Sequence, residues 1–121
     1  MDKIRPSELD DRLPDDAFVL DLRPLGDYER DHIERSHNAP VYDDLRDGDV
    51  EVLDPYLDHV PDDVEVVTVC KAGVVAEEAT SYLHERGYEA TTLAGGYTCW
   101  RHYEQNTKLH RLSSFLRGLV A

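Results

Sequence analysis

The amino-acid sequence predicts a parallel α/β sheet, and three observations carry that prediction. An apolar, β-branched run, Val64-Glu65-Val66-Val67-Thr68-Val69, is bounded upstream by Pro61-Asp62-Asp63 and reads as a buried strand. A short glycine-containing loop follows it. Ala76, Ala79, Tyr82, Leu83 and Arg86 then recur at helical spacing, and Gly87 closes that helix. Two more strand patterns, Ala17–Leu22 and Tyr88–Leu93, alternate with helical stretches, as a parallel sheet with crossover helices requires.

In chain order, Pro6-Ser7-Glu8-Leu9 reads as the start of a short helix with Ser7 as its cap. Ala17–Leu22 is the first strand, ended by Arg23-Pro24, and Leu25–Asp31 forms one or two helical turns. Residues 32–40 read as a loop with a brief strand before Pro40. Asp43–Gly48 reads as a polar turn, and within 50–59 a short helix around Asp54-Pro55-Tyr56-Leu57 is expected, with Pro55 at its first position. The central strand ends on Cys70, and Ala94-Gly95-Gly96 turns from the last strand into a helix over Tyr97–Tyr103. After Asn106-Thr107 a second helix is expected. Its Leu109, Leu112, Leu116 and Leu119 are spaced three, four and three. Packing of that apolar stripe onto the body is the expectation, with a partner-binding or dimer helix as the alternative.

Length and composition set bounds. A chain of 121 residues with 40% hydrophobic content suits one domain, 1–121, around one core. The formal net charge of −13 argues against nucleic acid or an anionic membrane as the main partner. The acid is spread in pairs such as Asp10-Asp11, Asp15-Asp16 and Asp62-Asp63, and only three lysines accompany ten arginines. Acidic, lysine-poor surfaces resemble those of halophilic proteins, so a salt-rich setting is expected. Two cysteines do not make a disulfide framework, and no stretch reaches the roughly 20 apolar residues of a membrane span. With no apolar signal core in the first residues, the expected compartment is a reducing cytoplasm.

Cys70 is the residue on which the functional reading turns. In an open parallel sheet, ligands bind beyond the carboxyl ends of the strands. A cysteine there faces the first turn of the next helix, whose unpaired N–H groups and dipole favour an anion and hence the nucleophilic thiolate. Position alone suits a space-filling thiol equally well, since free cysteine is among the most buried residue types.

Three segments together resemble the rhodanese-like domain family. The first is Leu20-Asp21-Leu22-Arg23, followed by Asp27-Tyr28, His32-Ile33, Ser36, Asn38 and Pro40. The second is Val66–Gly73, similar to that family's strand, active-site cysteine and glycine-containing loop. The third is Gly87-Tyr88 with Leu93-Ala94-Gly95-Gly96-Tyr97 and Trp100, similar to its closing signature. The resemblance covers 17–103 and leaves 104–121 as the C-terminal amphipathic helix. It implies a central parallel sheet flanked by helices on both faces, and sulfur transfer through a persulfide on Cys70. The partners it implies are a small-molecule sulfur donor such as thiosulfate and a thiophilic acceptor or protein thiol, with no cofactor and no metal.

On this reading the backbone N–H groups of Lys71, Ala72, Gly73, Val74 and Val75 curl around Cys70 as an anion nest. Gly73 permits the tight curl, and Lys71 supplies a cation, though a solvated surface lysine is an equal reading. Arg23 either borders the substrate or braces the site through Asp21 or Glu29. Departures from the family pattern bear on chemistry. Val75 stands where many members carry Arg, so an anionic donor loses a bidentate partner. Ala76 stands where a phosphatase on this fold would need Arg, which argues against phosphoryl transfer. Asp31 replaces a common glycine before His32, which bears on the turn and not on chemistry.

His32 is read as a loop-holding residue. His37, His59, His84, His102 and His110 have no metal-like spacing. Tyr97 and Trp100 are read as core, and Cys99 as a structural thiol. Two rivals follow: a catalytically weak binding or sulfur-relay module, and a thiol redox protein using Cys70 and Cys99. The absence of Cys-x-x-Cys weakens the second.

Overall fold

The computed structural model describes residues 2–120, the side chain of Val120 excepted. Five parallel strands form one sheet: β1 (Lys3–Ile4), β2 (Ala17–Asp21), β3 (His37–Asn38), β4 (Glu65–Val69) and β5 (Ala90–Leu93). Their spatial order is β1-β5-β4-β2-β3, which puts β4 at the centre. Alternation along β4 divides the core in two. Val66 points to the face covered by α3 (Tyr42–Arg46), the 3-10 helix Val50–His59 and α4 (Ala76–Glu85). Val67 and Val69 point to the face covered by α1 (Pro6–Arg12) and α5 (Gly96–Val120), where Leu9, Tyr97 and Trp100 pack. The fold is therefore α/β, with helices on both faces of a central parallel sheet.

The structure departs from the sequence reading at several elements. Arg5, not Ser7, caps α1: Pro6 takes the first helical position, and the Arg5 N–H donates to Glu8 Oε1 at 3.2 Å. The two-residue β1 is too short to show a period. It exists because β5 offers it an open edge, with the Ala94 N–H donating to the Ile4 carbonyl at 2.8 Å. The expected polar turn at Asp43–Gly48 is instead α3, with Asp43 and Asp44 in its first turn and Leu45 buried. Burial of that one leucine outweighs the polar composition around it. Pro55 lies inside the 3-10 helix and not at its start.

The largest difference is at the C-terminal end. The two expected helices are one continuous helix, α5, of 25 residues. Its first turns pack through Tyr97, Trp100 and Tyr103. The expected packing of the leucine stripe onto the body does not occur: Leu109 is 61% exposed and Leu119 66%. The cause is helical phase. The core-facing stripe runs 97, 100, 103, whereas the leucines extend the different stripe 98, 101, 105, 109, 112, 116, 119. Among the described residues no helix is long and apolar enough to cross a membrane.

Candidate active site

β4 delivers Cys70 to its carboxyl end, and α4 starts six residues later at Ala76. Between them Lys71–Val75 makes a tight loop. The Cys70 thiol is buried, with the residue 1% exposed. Two backbone donors converge on it: the Gly73 N–H at 3.2 Å and the Ala76 N–H at 3.3 Å from Sγ. The second belongs to the first turn of α4, where N–H groups have no partner within the helix. Both are complementary to negative charge on sulfur.

The loop is clamped from behind by the start of α5. The Tyr97 N–H donates to the Cys70 carbonyl at 2.8 Å, and the Thr98 N–H to the Lys71 carbonyl at 3.1 Å. This approach needs glycine on both sides. A Cβ on Gly73 (φ +85°) would stand 2.9 Å from the Gly95 nitrogen. A Cβ on Gly96 (φ +63°) would overlap the Cys70 and Lys71 carbonyls, the latter at 2.6 Å. Gly95-Gly96 is therefore part of the site's framework, a role beyond the turn read from the sequence.

A second layer holds the strand ends. Arg23 and Asp21 are both buried and joined by a bidentate ion pair, Nε donating to Oδ1 at 3.0 Å and Nη2 to Oδ2 at 2.8 Å. Arg23 Nη2 also donates to the Asp31 carbonyl at 2.8 Å, and its guanidinium lies 3.9 Å over the Tyr97 ring. Burial, and then hydrogen bonding to the Asp31 carboxylate, hold the Tyr97 phenol above its ordinary pKa. Asn38 Nδ2 donates to the carbonyls of Asp21 and Arg23, both at 2.9 Å. His32 Nδ1 is 2.7 Å from the Tyr28 carbonyl, and its ring stacks on Tyr28, so it secures the loop as read.

Beside the loop opens a cleft of about 480 Å³. Arg23, Arg30, Lys71 and Arg101 bring positive charge to it, partly offset by Asp27 and Asp31. Arg30 stands 3.7 Å from Asp27, and Arg101 4.0 Å from Asp31. Among the described residues no group of three His, Cys, Asp or Glu is arranged to hold a metal ion.

The family model for the rhodanese-like domain matches residues 5–103. The chain belongs to the rhodanese-like domain family. Solved structures agree on the fold. A rhodanese-related protein from Thermoplasma volcanium superposes with a TM-score of 0.70 at 19% identity, covering 85% of this chain and 93% of that one. Thiosulfate sulfurtransferase from Pseudomonas aeruginosa gives 0.71 at 22%, covering 85% of this chain and 18% of that one. The CoADR-RHD protein of Bacillus anthracis gives 0.68 at 23%, covering 83% and 16%. In those last two the matched region is a small part of a longer chain. No curated protein matches by sequence.

In this rhodanese-like domain the residues singled out from the sequence do not all meet at the sulfur. Gly73 does, through its N–H. Lys71, Ala72 and Val74 are exposed on the loop and Val75 is half-buried. Ala76, read from the sequence as helix and as a departure from a phosphatase pattern but not as a donor, is the second donor to Sγ. Its signal was available: it is the first residue of the helix that follows the loop. Arg23 borders the cleft, and its Nε and Nη2 are engaged with Asp21 and the Asp31 carbonyl, the geometry of a brace on that side. Cys99 is exposed in the first turns of α5, and both thiols are free.

Proposed function

We propose that this rhodanese-like domain is a sulfurtransferase that carries sulfane sulfur on Cys70. The observation supporting the reading most strongly is the pair of N–H groups aimed at Cys70 Sγ where β4 meets α4. In the first half-reaction the Cys70 thiolate attacks the outer sulfur of the donor. The donor's S–S bond breaks, and its electron pair leaves with the remainder, sulfite when the donor is thiosulfate. Cys70 then holds a persulfide whose outer sulfur lies about 2 Å beyond Sγ. In the second half-reaction a thiophilic acceptor attacks that outer sulfur, and Cys70 leaves as thiolate. Electrons balance without a cofactor. Backbone donors fixed in advance favour the anionic sulfur in both half-reactions.

Donor charge is met differently from the family pattern. Val75 supplies no guanidinium, so an anionic donor relies on Lys71 and on the arginines of the cleft. That favours a weakly held thiosulfate, or another donor. It also supports a second reading, a sulfur-relay module acting through a protein partner. The exposed Val74 in the loop and Leu25 at the start of α2 (Leu25–Arg30) suit a protein surface better than a small anion.

The deciding experiment is intact-protein mass after thiosulfate, then after cyanide, on the wild type, Cys70→Ser and Cys99→Ser. One added sulfur on wild type and Cys99→Ser, absent on Cys70→Ser and removed by cyanide as thiocyanate, is the expected result. Sulfur retained on Cys70→Ser would refute the assignment. A wild type that takes sulfur only from a persulfidated protein would favour the relay reading.

A further inference from the structure

α5 continues well past the residues that pack on the body. Leu109, Leu112, Phe115, Leu116 and Leu119 are 61%, 53%, 63%, 52% and 66% exposed, the largest group of exposed apolar side chains among the described residues. We infer that this stripe is a self-association seam, joining two copies of the chain helix against helix.

Three observations specify a second copy as the occupant. First, the leucines repeat three, four and three apart, the a and d spacing of a two-helix seam. Second, the residues flanking the seam do not forbid its meeting itself. Counting Leu109 as a, the e positions are Asn106 and Ser113 and the g positions Lys108 and Phe115, so the positions flanking the seam do not set a line of like charges directly against each other. Third, the area suffices. Covering five half-exposed side chains on each copy removes roughly 1,000 Å² in total, the threshold for a specific interface.

A free helix carrying so short a seam would be marginal in water. Here the helix is already formed and held at its base through Tyr97 and Trp100, so association does not have to nucleate it. The same face, followed back toward the body, carries Thr98, Arg101 and Gln105 at the cleft. The second copy would therefore lie alongside the cleft rim. The inference stands independently of the sulfur chemistry.

Charge gives the association a diagnostic salt dependence. Residues 1–104 hold all 26 acids and ten of the cations, a net −16, while Lys108, Arg111 and Arg117 leave the tail at +3. Two copies bring like charge to like charge in both parts, so screening strengthens the dimer. A basic apolar helix binding an acidic protein or an anionic lipid would behave oppositely.

The test is sedimentation equilibrium of the full chain over a concentration series, in about 0.15 M and about 2 M KCl. A monomer–dimer equilibrium is expected that tightens about tenfold or more at the higher salt. The double variant Leu112→Glu/Leu116→Glu should sediment as a monomer with its circular dichroism retained, since both positions are exposed in the single chain. A wild type that stays monomeric in both salts up to about 0.5 mM would overturn the inference. So would a dimer that survives the double variant, or wild type that stays monomeric and binds phosphatidylglycerol vesicles at the lower salt.

Discussion

Gly96 shows how much one residue carries. Its left-handed backbone lets the first N–H groups of α5 reach the carbonyls of Cys70 and Lys71. A methyl group there would strain the backbone and overlap both carbonyls, so Gly96→Ala should cost about 1–3 kcal/mol. It should also slow sulfur loading, because the loop that aims Gly73 and Ala76 at Sγ loses its clamp. Urea midpoints and single-turnover loading would read both effects; an unchanged loading rate in a destabilised variant would show that the clamp does not position the sulfur. Tyr97, in the same turn, makes a pH prediction. Its folded-state pKa is raised, so folding favours the protonated phenol. That contribution is fully present below about pH 10 and is lost as pH rises from there toward the folded-state value. Urea midpoints should fall as pH rises above about 10, and Tyr97→Phe should flatten the fall. An identical slope in the variant would assign the loss to other groups.

At the scale of elements, α4 is held to the sheet just below the Lys71–Val75 loop by three buried threonines. Thr80 Oγ1 is 2.8 Å from Thr68 Oγ1 on β4 and 2.6 Å from Thr92 Oγ1 on β5. It also donates to the Ala76 carbonyl at 3.2 Å, one turn back in the helix. The chain of hydroxyls places the first turn of α4, and with it the Ala76 N–H, relative to the end of β4. Thr80→Val keeps the shape but leaves the Thr92 hydroxyl without its partner in a dry layer, a loss of about 1–3 kcal/mol. Chemical denaturation checks the value, and a neutral substitution would mean the layer repacks. Nothing in the sequence signals this triad. Three threonines 12 residues apart have no local pattern, and only the parallel pairing of β4 with β5 brings them together.

For the whole molecule the decisive quantity is the net charge of −13. Acidic groups spread over a small surface repel in dilute buffer, and salt screens that repulsion. The melting temperature should therefore rise with KCl, by several degrees between about 0.05 and 1 M. A melting temperature independent of salt would show that the local ion pairs, such as Lys3 with Glu77 and Arg12 with Glu65, already neutralise the field.

What could be read without coordinates followed from period and local chemistry. The strands at 17–21, 65–69 and 90–93 were visible because buried parallel strands are apolar, β-branched and bounded by turn residues. Cys70 stood out because it ends one of them ahead of a glycine loop and a helix. β1 and α3 were hidden because each depends on a distant contact, an open edge on β5 and a buried Leu45, rather than on a repeating pattern. The sequence showed that the leucines of the tail lie on one side of a helix. Only the tertiary structure decided that this side is turned away from the core, because the phase of α5 is set by Tyr97 and Trp100 against the sheet and carried outward by a rigid helix. By itself the sequence determined the elements with a period and singled out Cys70 as the candidate nucleophile. The tertiary structure decided which N–H groups face the sulfur, which arginine is a brace, and which apolar stripe is left in water, since these depend on how distant segments pack.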